Sequence, residues 1–75
     1  METETIAKKV GKNLKIHIKK SKYKTQESFA SIMNVDPVTI RRWIAYGVRD
    51  INTIYEIAKA LEIDIIDLIK YNNEK

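Results

Sequence analysis

Arg41 and Arg42 stand side by side in the stretch NVDPVTIRRW, just behind an Asp-Pro pair that reads as a helix start. Each guanidinium presents a planar fork of donors that matches the paired acceptors of a guanine edge or a phosphate. Two unpaired arginines are too costly to bury, so this pair must face solvent or a partner. A plain solvated helix face would hold them equally well. It would not explain the tight turn in front of them, and the surrounding residues must decide.

The remaining cations are unevenly spread. Residues 8–24 carry eight lysines and no acid, whereas residues 50–75 carry six acids against three lysines, within a formal net charge of +4. A basic half facing an acidic end points to a polyanion on one side, and nucleic acid is the usual one. The alternative for the lysines alone is a solvated face. Other chemistries find little support. His17 is the single histidine and cysteine is absent, so thiolate metal sites and disulfides are excluded. With no nucleophile–base pair and no phosphate loop, the chain is not expected to be an enzyme, to need a cofactor or metal, or to take a small-molecule ligand.

Seventy-five residues are expected to form a single domain, 1–75, with one small core. The start METETIAKK has no apolar run behind it and does not read as a signal peptide. No apolar run nears the roughly 20 residues that span a bilayer. A cysteine-free chain of this kind is expected to be cytoplasmic, with no membrane partner.

Two glycines and one proline interrupt the chain, and no long segment alternates with period two, so the expected fold class is all-α. Ile6, Ala7, Val10, Leu14, His17 and Ile18 form an apolar stripe of about 120° on a first helix, with most lysines opposite and Ile16 off the stripe. His17 on that stripe reads as partly buried and structural. The linker SKYK follows, and Thr25 can N-cap a second helix over residues 26–33. Asn34 suits a left-handed turn. Asp36 and Pro37 then open a third helix that runs to about Ala45. Asp50 can cap a fourth, with Ile51, Ile54, Ile57, Ala58 and Leu61 on one face. Asp64 can cap a fifth, reaching about Tyr71.

Between Gln26 and Ala45, Phe29, Met33, Val35, Ile40 and Trp43 must face inward if two helices cross tightly, with small Ala30 at the closest approach. This stretch resembles the helix-turn-helix of the phage repressor and Cro family of DNA-binding proteins. TQESFASIMNVDPVTIRRW is similar to that family's Thr-Gln start, turn, N-cap and Thr-Ile run, and INTIYEIAKALEIDIIDLI is similar to its closing helices. Roughly residues 6–69 are covered. Asn34 stands where the family often has glycine, and Ile44 where many members carry an acid that pairs with the first helix. The loop from Ala45 to Arg49 is about a residue shorter than usual, and the linker around Tyr23 about a residue longer.

The resemblance implies a five-helix, lambda-repressor-like domain whose third helix lies in the major groove of double-stranded DNA. Pro37, Val38, Arg41, Arg42 and Ala45 are then the base-facing positions. The arginines can take guanine O6 and N7 bidentately or clamp phosphate, and Val38 can meet a thymine methyl. Gln26, first in its helix, would bind the DNA backbone, with Thr25 beside it. The Thr39 hydroxyl either reaches phosphate or ties the two helices together. Arg49 and Asn52 flank the start of the fourth helix, whose dipole suits a phosphate. Trp43 could stack on a base, but its spacing from Ile40 makes it core.

A single recognition helix buries too little for tight binding, so the resemblance implies a homodimer on a palindromic operator. One face of a short fifth helix cannot hide Ile65, Ile66, Leu68 and Ile69 together. Ile66 is therefore the expected dimer contact, with Tyr71 and Ile63 at its edge. The expected function is a transcriptional regulator of a bacterium, phage or plasmid. An antitoxin or restriction–modification controller would share these features. A protein-interaction module that has lost DNA would not need the two arginines.

Overall fold

The computed structural model describes residues 5–70, which form five helices: α1 (Ile6–Lys20), α2 (Gln26–Met33), α3 (Pro37–Tyr46), α4 (Ile51–Leu61) and α5 (Ile65–Ile69). No strand occurs among the described residues. The radius of gyration is 11.5 Å, close to the roughly 11 Å of a folded chain of this length. Among the described residues, no helix is long and apolar enough to cross a membrane.

Local sequence sets most of the boundaries. The Thr25 hydroxyl accepts the Ser28 N–H at 3.1 Å and caps α2. The Thr5 hydroxyl does the same for α1 with Lys8 at 3.2 Å, a start signal the apolar stripe does not reveal. α2 stops at Asn34, whose backbone is left-handed at φ 62° and ψ 43°. There the Val35 N–H donates to the Ala30 carbonyl at 3.0 Å, closing the helix end. Asp36, Asp50 and Asp64 occupy the N-cap positions of α3, α4 and α5, but none of their side chains accepts a capping bond. Asp50 instead accepts from the Thr53 hydroxyl at 2.8 Å.

Val10, Leu14 and Ile18 of α1, Phe29, Ile40, Ile57 and Leu68 are fully buried and form the centre of the core. Trp43 and Ile44 are half-buried and pack on its edge, so the indole belongs to the core side of α3. Tyr23 folds the linker over the core: its ring lies 5.7 Å from that of Phe29, and its hydroxyl donates to the Ala60 carbonyl at 3.3 Å.

Two expected core residues lie outside. Ile6 and Ile51 are 59% and 58% exposed. Each is the first residue of its helix, and each lines an open groove instead of reaching the centre.

Two glycines fix how α3 sits. A Cβ on Gly11 would lie 2.5 Å from the Trp43 carbonyl oxygen and 2.9 Å from that of Ile44, so α1 and α3 cross backbone to backbone. Gly47 ends α3 at φ 97°, where a side chain would strike the Ala7 carbonyl, and the next residue, Val48, donates to that carbonyl at 3.1 Å. α3 is thus anchored along α1 through its second half and C-terminus, which leaves its opposite face uncovered.

Candidate nucleic-acid interface

The uncovered face of α3 carries the residues singled out above. Arg41, Arg42 and Ala45 are exposed, Val38 is 47% exposed, and Pro37 and Thr39 are half-buried. At about 100° per residue, Pro37, Arg41, Ala45, Val38 and Arg42 span an arc of about 140°, opposite the fully buried Ile40. Four consecutive features produce this arrangement. Asn34 turns the chain, Val35 packs on the core, Pro37 starts the helix, and Ile40 anchors it.

Arg41 has an acid beside it. Its Nη1 lies 3.7 Å from Oε2 of Glu27, the second residue of α2. The contact shows that the start of α2, where Thr25 and Gln26 precede Glu27, lies beside α3. A cleft of about 280 Å³ continues from there, lined by Lys15, Lys19, Lys24, Thr25, Gln26 and Glu27. Lys15 and Lys19 belong to a stripe with Lys8 and Lys12, all exposed and within about 60° of arc on α1. Gly11, where α1 meets α3, is only about 40° from Lys15 around the helix, so the stripe runs beside that crossing. Basic side chains from α1 and the linker therefore adjoin the two-arginine helix. Arg42 makes no ion pair with a described residue.

Arg49 and Asn52 are exposed at the start of α4, but no ion pair joins them to the acid beside Arg41. Arg49 lines a different feature, an apolar groove of about 520 Å³ shared with Ile6, Val48, Ile51, Ile54 and Ile69. On α5, Ile66 is 62% exposed, while Leu68 is fully buried and Ile65 and Ile69 are half-buried. α5 therefore leaves one isoleucine over. Ile63 is half-buried, packs on the core, and its N–H donates to the Ala58 carbonyl at 3.0 Å. Tyr71 lies outside the described residues.

Two surface residues escape sequence reasoning. Glu27 pairs with a residue fourteen positions away, and no local pattern announces that. Tyr46, 75% exposed at the end of α3, follows Arg42 by four residues, and that spacing alone could have added it to the outward face.

No family model, curated protein or solved structure matches the chain.

Proposed function

We propose that the chain is a sequence-specific double-stranded DNA-binding regulator, cytoplasmic and repressor-like, in which α2, the Asn34 turn and α3 act as a helix-turn-helix. The observation that carries this reading is the exposed face of α3, where Arg41 and Arg42 project beside Val38 from a helix braced by buried Ile40. Two arginines on the free face of a short helix suit the donor and acceptor pattern of the major groove. The flanking lysines and the start of α2 suit the phosphates on either side, which fix register without reading sequence.

The protein is proposed to act by occupying its operator as a homodimer. Ile66, exposed on α5, and the groove of Ile6, Ile51 and Ile69 supply apolar surface for a second copy. Such a dimer would set two copies of α3 about one helical turn of DNA apart.

Titration of a random-sequence duplex, followed by fluorescence anisotropy between about 50 and 200 mM salt, tests the electrostatic part of this function. Affinity should fall by about tenfold or more over that range, as phosphate neutralisation releases counterions. A flat salt response, or no binding at the low end, would contradict it.

A further inference from the structure

Glu27 is an acid on the basic side of the molecule. It is exposed, sits among Lys15, Lys19 and Lys24, and lies 3.7 Å from Arg41 on the face assigned to DNA. A carboxylate near phosphates weakens DNA binding, so its placement calls for an explanation. Its position in the first turn of α2 favours the helix dipole, and any acid there would do that. Its reach to Arg41 is the more particular feature.

We propose that Glu27 is a positioning residue that turns Arg41 into a base reader, an inference that rests on the DNA-binding function above. Three physical points support it. First, a guanidinium has five N–H donors in a rigid plane, so one edge can stay on a carboxylate while the other takes guanine O6 and N7 together. Holding one edge fixes the plane of the other and lowers the ordering cost of the bidentate contact. Second, a phosphate needs no such alignment, so a guanidinium drawn toward Glu27 is biased away from the DNA backbone. Third, the carboxylate repels phosphates wherever the helix sits on DNA, whereas its benefit is gained only where a guanine meets Arg41. One residue thus weakens random binding and strengthens one position of the operator. Arg42 makes no ion pair with a described residue, so its plane is not set in this way.

The discriminating experiment compares wild type, Glu27→Gln, Arg41→Ala and the double variant. Each is assayed by site selection from a random duplex pool and by titration of random duplex. Gln keeps the length and the helix start while removing the charge. Glu27→Gln should bind random duplex about threefold more tightly, because one like charge is removed. It should also lose about tenfold of discrimination at a single guanine position, the one that Arg41→Ala relaxes. In the Arg41→Ala background, Glu27→Gln should leave the remaining preferences unchanged. If Glu27→Gln tightens random and selected sites alike and leaves the consensus intact, Glu27 is only a local charge and the positioning role is wrong. If the wild type selects a consensus but Arg41→Ala leaves it unaltered, the role is also wrong, although the DNA-binding function survives. A wild type that selects no sequence overturns both.

Discussion

The side-chain amide of Asn13 donates to the backbone carbonyl of Leu68 at 2.7 Å, and also to that of Lys70 at 3.1 Å. Asn13 is buried on α1, and its two acceptors lie in and just beyond α5. A five-residue helix cannot satisfy its own last carbonyls, and this amide does so for it. Asn13→Leu would leave the buried Leu68 carbonyl unpaired and should destabilise the fold by about 1–3 kcal/mol. Chemical denaturation measures this directly. A loss under about 0.5 kcal/mol would mean that water replaces the amide at no cost.

Gly11 should tolerate no side chain. Alanine there would press on the Trp43 and Ile44 carbonyls at the α1–α3 crossing, backbone that cannot swing aside. Although alanine favours a helix interior by about 1 kcal/mol over glycine, overpacking costs more, about 1–3 kcal/mol. Gly11→Ala should therefore lower the melting temperature and, by shifting α3, weaken DNA binding beyond its effect on folding. A variant more stable than wild type would show that the two helices can separate freely.

These two residues also mark where the sequence stops being legible. The helices follow from local rules, because Thr25, Asn34 and Pro37 act within a few residues of themselves. The inward set Phe29, Ile40 and Ile57 follows from periodicity. Asn13 is a polar residue on a basic helix, and nothing local shows that it faces α5. Gly11 could equally be a weak point of the helix until its neighbour is known. Ile6 and Ile51 obey their helical periods but stand at first positions, where one side of the helix has nothing to pack on. Arg41 and Arg42 are legible as an outward pair. The Glu27 carboxylate beside Arg41 depends on the crossing of α2 and α3, which no spacing encodes.

Gln26→Ala should weaken binding to every duplex by a similar factor and leave the selected consensus unchanged, since backbone contacts carry no sequence information. Lys15→Gln and Lys19→Gln, which line the same cleft, should each reduce the slope of log K against log salt by about 1. A shifted consensus in any of the three variants would move that residue into base readout.

Ile66→Glu should yield a folded monomer. The side chain is exposed, so the substitution spares the core while placing a charge on the apolar surface proposed to join two copies. The variant should still bind DNA, weakly and without sequence preference, because one recognition helix remains. Sedimentation equilibrium decides the matter. A variant that is still dimeric would place the interface elsewhere, and a wild type that stays monomeric on its operator would remove the dimer altogether.

The two arginines are proposed to read bases, and on that proposal they should differ from the lysines in what they change. Arg41→Ala and Arg42→Ala should each cost about 1–3 kcal/mol on the operator. Selection of bound sites from a random duplex pool is the direct measurement, with the wild type and both arginine variants run in parallel. The wild type should enrich a palindrome whose half-sites lie about one helical turn apart. Each variant should relax a position within the half-site, with Arg41→Ala relaxing a guanine. A pool that emerges unenriched, or a consensus that survives the loss of both arginines, would contradict sequence readout by α3.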